Sequence, residues 1–163
     1  MAKHHAISIG NNWQTKISGD ETSSSAPYRT YQKFSDMLNL PRGYESIYND
    51  DLYVFRGTYQ MPLWNPDVSI AGMAYIKRFR LNVFFDAAYS SYELDIKETG
   101  EIFNFSDTFT SSGFEILSDF HAFRFVLPFS IGYRGGFRDI DNTFFHEAVF
   151  STSFDNFLIN NQK

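Results

Sequence analysis

Strict two-residue alternation between apolar and polar side chains runs through most of this chain, a period that strands satisfy and amphipathic helices do not. The clearest stretch is Tyr75–Ser90. Tyr75, Lys77, Phe79, Leu81, Val83, Phe85, Ala87 and Tyr89 share one face, while Ile76, Arg78, Arg80, Asn82, Phe84, Asp86, Ala88 and Ser90 share the other. The pattern recurs with Ile7, Ile9, Trp13 and Ile17 against Ser8, Gly10, Asn12, Gln14 and Lys16, and with Tyr53, Phe55, Tyr59 and Met61 against Arg56, Thr58 and Gln60. Phe114, Ile116, Phe120 and Ala122 oppose Glu115, Asp119 and His121. Phe125, Leu127, Phe129, Ile131 and Tyr133 oppose Arg124, Ser130, Gly132 and Arg134. Phe144, Ala148, Phe150 and Phe154 oppose Glu147, Ser151 and Ser153. The spacing predicts about six antiparallel strands in an all-β meander.

The predicted connections alternate in length. Residues 18–50 and 91–111 read as long polar loops, and 62–72, 121–124 and 135–143 as shorter links, with Gly135, Gly136 and Asp141 in the last. That asymmetry is a property of membrane barrels. At ~3.3 Å per residue the 75–90 run is ample for a tilted membrane crossing. Alternation by itself does not say which face is inside. A soluble lipocalin-like barrel turns its apolar face in, and a membrane barrel turns it out.

Composition adds weight to the second arrangement. Nineteen Phe, ten Tyr and two Trp make 19% of the chain, yet the mean hydropathy is −0.32. Rings girding two membrane interfaces account for that combination, and a soluble core would use more Leu, Ile and Val. A net charge of −5 argues against attraction to nucleic-acid phosphates, and the absence of cysteine excludes disulfides and thiolate metal sites. No stretch reaches the ~18 apolar residues of a spanning helix. The opening Met-Ala-Lys-His-His has no apolar signal region, so the chain reads as the C-terminal part of a longer precursor, a partial barrel domain over residues 1–163.

Four segments in order carry a family resemblance: Leu40-Pro41-Arg42-Gly43-Tyr44, a strand ending Tyr59-Gln60-Met61-Pro62-Leu63, Phe84-Phe85-Asp86-Ala87-Ala88, and Ser112-Gly113 with Glu115 followed by Pro128-Phe129 and Gly132-Tyr133. Their order and spacing resemble the C-terminal barrel half of the BamA-like surface-antigen superfamily of outer-membrane insertases and translocators. The resemblance covers roughly residues 6–155. It implies a long loop folded into the lumen whose Arg-Gly-Tyr tip, here Arg42, Gly43 and Tyr44, is received by the Phe84-x-Asp86 strand. Ala88 stands where that family usually has Gly, and the C-terminal aromatic of the family is displaced, since Phe157 is followed by Leu-Ile-Asn-Asn-Gln-Lys. The parity argument meets the resemblance at one point. Asp86 shares its face with Arg78, Arg80 and Asn82, so a lumen on that side allows a charge-assisted Arg42–Asp86 pair, which arginine can make bidentately.

Little in the chain points to catalysis. His4 and His5 are adjacent at the terminus; Asp119, His121 and Glu147 lie on polar faces without a third converging ligand. Glu115 and Asp119, four apart on one strand, are ~13 Å apart, too far for a glycosidase pair. Gly132-Tyr133-Arg134-Gly135-Gly136 precedes no helix that would hold a phosphate, and Ser23–Ser25 lack a Gly-x-Ser-x-Gly elbow. The expectation is therefore no enzyme site, no cofactor and no metal. By resemblance, the barrel resides in the bacterial outer membrane and serves protein insertion or polypeptide translocation. Its partners would be outer-membrane lipid, envelope assembly proteins, unfolded client polypeptides and the remaining strands of the barrel. Two alternatives stay open: a barrel anchoring an enzymatic or binding domain outside this sequence, and a soluble β-barrel carrying a small ligand.

Overall fold

The computed structural model describes residues 5–15, 40–45, 47, 50–70, 74–96, 101–122 and 128–152. They form one antiparallel sheet with no helix among the described residues. The strands are β1 (Ala6–Thr15), β2 (Asp51–Trp64), β3 (Val68–Ile70), β4 (Ala74–Ile96), β5 (Glu101–Ala122), β6 (Pro128–Arg138) and β7 (Thr143–Thr152). Their order is β1-β2-β4-β5-β6-β7, with the three-residue β3 added to the lower end of β4. Every neighbour in space is a neighbour in sequence, apart from that short addition. The fold is thus the all-β antiparallel meander that the alternation implies.

Direct pairing puts the residues of one row on one face. One row runs Gln60–Asn82–Glu115–Arg134–Glu147 and a second Arg56–Asp86–Ser111–Arg138; between them lies Thr58–Phe84–Gly113–Gly136–Phe145. This face holds the buried side chains, including Asp86 at 0% exposure and Glu115 and Asp119 at 6% each. On the opposite face, Ile7, Ile9, Trp13, Tyr59, Val83, Phe85, Ile116, Ile131, Phe144 and Phe150 are all exposed. Apolar out and charged in is the reverse of a soluble sheet packed on a core.

The buried apolar cluster is small and sits at the upper end of the charged face. Ile47, Leu52, Val54, Ala88 and Phe109 pack together, with Leu40 and Tyr44 against them. The tight β6–β7 turn spans Asp139–Asn142: the amide of Asn142 donates to the Asp139 carbonyl at 3.2 Å, and Asn142 takes φ 52°, a left-handed value that asparagine tolerates.

Four expectations need correction. Residues 91–111 are not a loop: β4 continues to Ile96 and β5 begins at Glu101, paired down the whole length from Ile96↔Glu101. Tyr92 stacks on Phe105 at 5.1 Å within this ribbon. Gly135 and Gly136 belong to β6, not to the link that follows it. Tyr75, Ile76 and Lys77 are on the faces opposite to those expected. A bulge between Ile76 and Arg78 inserts Lys77, so Ile76 pairs with Phe120 and Tyr75 with His121, and one extra residue inverts the parity below it. The short β3 brings the strand number to seven. Residues 123–127, Lys16, Ile17, Ser153, Phe154 and the sequence beyond lie outside the described residues.

Glycines in the central row allow close approach. A Cβ on Gly113 would collide with the Gly135 carbonyl oxygen and lie 2.9 Å from the Phe84 ring, whereas one on Gly10 would meet nothing within 4 Å. Gly113→Ala should therefore destabilise the sheet by about 1–3 kcal/mol, the usual cost of overpacking. Gly10→Ala should stay within about 0.5 kcal/mol of wild type. Urea unfolding of the two variants side by side checks the contrast.

Candidate functional site: a loop tip seated on the charged face

Residues 41–44 turn back on themselves. The amide of Tyr44 donates to the Pro41 carbonyl at 3.1 Å, and Gly43 at the third position takes φ 85°, the requirement of a type II turn. A side chain at Gly43 would be strained by that dihedral, and its Cβ would also strike the Phe145 ring at 2.6 Å. Glycine at this position thus meets two demands, one of the turn and one of the seat beneath it.

The tip lies along the central row. The Arg42 guanidinium stacks over the Phe84 ring at 4.4 Å and donates from Nη2 to Thr58 Oγ1 at 2.7 Å. Phe84 and Phe145, with ring centroids 6.5 Å apart, lie near Gly113 and Gly136, whose missing side chains leave them room. Tyr44 stands edge-on to Phe109 at 5.5 Å and donates its hydroxyl to the Thr110 carbonyl at 2.9 Å. The Gly43 carbonyl accepts from Arg138 Nη1 at 3.0 Å. Four residues of loop thereby touch β2, β4, β5, β6 and β7.

Electrostatics centre on Asp86. Its Oδ2 accepts the backbone amide of Arg42 at 2.9 Å, with Arg42 Nε and Arg56 Nε each 3.6 Å away. Arg42 Nε is also 3.6 Å from Glu115 Oε1. Burial lowers the Arg42 pKa, and the nearby carboxylates Asp86 and Glu115 oppose that shift. Stripping one partner from a buried ion pair commonly costs about 3–5 kcal/mol, because the charge left behind has lost its water as well. Below this centre, Glu115 accepts from Arg134 Nε and Asn82 Nδ2, both at 2.8 Å, and Arg134 reaches Glu147 at 2.7 Å. Asp119 takes Arg78 at 2.5 Å, Arg80 at 3.2 Å and the Ser130 hydroxyl at 2.6 Å.

The structure brings Arg42, Gly43, Tyr44, Phe84 and Asp86 together, but not through the expected fork. The backbone amide of Arg42 makes the hydrogen bond to Asp86, and its guanidinium instead spans Thr58, Phe84 and the two carboxylates. Sequence reading missed Arg56, Phe145 and Arg138. Arg56 was legible as the polar-face residue of β2, whereas Phe145 lies on the polar face of β7, where the alternation gives no reason to look for a ring. Arg138 lies on β6, where it also holds Asp141 at 2.6 Å and Thr143 at 2.9 Å. Glu115 and Asp119 each belong to a separate charge cluster, His121 lies 6.2 Å from the Tyr75 ring, and His5 Nδ1 is 2.5 Å from the Tyr59 hydroxyl. Among the described residues no three His, Asp or Glu side chains gather as metal ligands.

Comparison of the chain with models of protein families, with curated proteins and with solved structures returned no match in any of the three.

Arg42→Ala should release the tip and expose residues 40–45 to protease, while Arg42→Lys, which keeps charge but loses the planar stack, should protect only in part. Limited proteolysis of the folded chain reads both. Burial raises the Tyr44 pKa. A phenol whose folded pKa lies above its unfolded value adds stability that is complete below about pH 10 and is lost as pH climbs through the folded pKa. The Tyr44→Phe chain should lack that alkaline component, so its protection relative to wild type should improve above about pH 10.

Proposed function

We propose that this chain is part of an outer-membrane β-barrel of the BamA-like kind, serving protein insertion or polypeptide translocation, with its charged face lining a lumen plugged by the 41–44 turn. The observation that carries the reading is the inverted exposure of the two faces: Phe85 is 51% exposed while its sequence neighbour Asp86 is fully buried. In water, a sheet that displays so many aromatics and hides its carboxylates has no driving force to stay apart from its copies. In a bilayer the same surface is satisfied by acyl chains.

The exposed aromatics are also banded. Trp13, Tyr53 and Tyr89 are register partners near the upper end, and Trp64 stacks on Phe79 at 5.9 Å near the lower. Phe79 and Tyr89 are ten residues apart on β4, ~33 Å along the strand, or ~25 Å along the normal at a ~40° tilt. That equals the ~25 Å apolar band of a membrane barrel, and Leu81, Val83, Phe85 and Ala87 fill it. Lipid is then the first partner, envelope assembly proteins and unfolded client chains the next, and the bacterial outer membrane the location. The resemblance of the Arg42–Tyr44 tip and the Phe84-x-Asp86 strand supplies the insertase or translocator part of the reading. Mechanistically no bond is made or broken: passage through the lumen requires the tip to leave Asp86, so its ion pairs set the height of the gate.

Both tryptophans of the chain, Trp13 at 72% and Trp64 at 64% exposure, point to the apolar side. Reconstituted into bilayers brominated along the acyl chain, both should be quenched, most strongly by bromines near the headgroups. Fluorescence unaffected by brominated lipid at any depth would rule out the membrane reading. Phe85→Lys should cost about 2–4 kcal/mol in the bilayer, whereas a solvated surface site would tolerate it within about 0.5 kcal/mol.

A further inference from the structure

Among the described residues, charge is matched row by row on the inner face except at its lower mouth. Arg56 faces Asp86, Arg134 sits between Glu115 and Glu147, and Arg138 holds Asp141. At the mouth, Lys77, Arg78 and Arg80 stand against two carboxylates, Asp67 and Asp119, and Asp67 already accepts the Tyr75 hydroxyl at 2.8 Å. Both arginines turn Nε to Asp119, and Arg80 sends Nη2 to Ser130 at 3.3 Å; among the described residues the Nη groups of Arg78 and Nη1 of Arg80 meet no further acceptor. Lys77 has no ion pair with any described residue.

These cations line an open-sided cavity of about 180 Å³ together with Gln60 and Pro62 of β2 and Asn65 and Asp67 of the following turn. Lys77 reaches it because of the bulge, which places Lys77 next to Arg78 against the single partner Asp119 instead of sending it to the other face. Drug-sized ligands occupy roughly 300–1,000 Å³, so this space suits a small anionic group. Tetrahedral oxyanions are what arginine forks and a lysine ammonium bind together. On the reverse side of the same two strands lies the stacked Trp64–Phe79 pair, at the level where the exposed aromatic band ends.

We infer that this mouth binds a phosphate group, carried by a lipid headgroup. The phosphate chemistry rests on the cavity alone, and the lipid source rests on the membrane reading above. The two fail separately: bromine quenching tests the membrane reading, and the following titration tests the cavity.

The folded 163-residue chain, as its Trp13→Phe form in dodecyl maltoside micelles, leaves Trp64 as a single reporter beside the mouth. Titration with short-chain phosphatidic acid should give a saturable change in its emission, and diacylglycerol of the same chain length should give none. Lys77→Gln should weaken the affinity about fivefold, and Lys77→Gln with Arg78→Gln about 25-fold, at one surface cation each. Among the described residues Lys77 has no ion-pair partner to orphan, so the single variant should fold as wild type, which circular dichroism verifies. Inorganic phosphate should compete only at much higher concentration; competition at equal concentration would contradict the headgroup as the source. Equal binding of diacylglycerol, equal competition by a phosphate-free polyglutamate peptide, or an affinity unchanged in Lys77→Gln would overturn the site.

Discussion

Everything in this sheet follows from placing ionised side chains on the face that the strands bury. Asp86 is removed from solvent yet flanked by a backbone amide and two guanidiniums, and Glu115 and Asp119 are each met by two or more donors. A carboxylate that has given up its water without such partners would cost several kcal/mol. Most pairs are formed directly across neighbouring strands, so the hydrogen-bond register and the charge register are one constraint. A slip of one residue would expose the acids to whatever bathes the aromatic face. The 41–44 turn belongs to this arrangement, because Arg42 supplies cationic charge to two rows at once.

Much of the fold was legible because period-2 alternation survives in almost every strand. In β4 from Phe79 to Ser90 the two faces are those of the alternation, and the 41–44 turn lies against Phe84 and Asp86. What alternation could not supply was the detail of contact. Arginine offers a backbone donor as well as a guanidinium, and here the amide takes the carboxylate while the side chain reaches further, to Thr58 and Phe84.

Other features were hidden for identifiable reasons. Residues 91–111 carry enough Ser, Thr, Asp and Glu to read as a loop, yet Tyr92, Leu94 and Ile96 alternate, as do Phe103 and Phe105, and the hairpin pairs along its length. The bulge at Lys77 leaves no mark in composition; it is visible only once β5 fixes the register, and it alone turns Tyr75 and Ile76 to the opposite faces. Leu52 and Val54 share a face with Arg56 and Thr58, a polar one in the alternation, and pack there with Ala88. They are apolar because residues 40, 44 and 47 cover them, a contact more distant than any local period can report. Arg138 is separated by 95 positions from the Gly43 carbonyl that it holds.

The functional reading joins these elements into one device: an apolar exterior, a charged interior and a turn that closes it through reversible contacts. Its central claim is that the odd-numbered side of β4 meets acyl chains and the even-numbered side does not. Single nitroxide labels from Leu81 to Tyr89, in the chain reconstituted into bilayers, measure this through relaxation by oxygen, which concentrates in lipid, and by a water-soluble nickel chelate. The expected result is a two-residue period, with oxygen dominant at positions 81, 83, 85, 87 and 89 and both reagents excluded at 84 and 86. Nickel access at positions 83 and 85 equal to that of a solvated strand would contradict it.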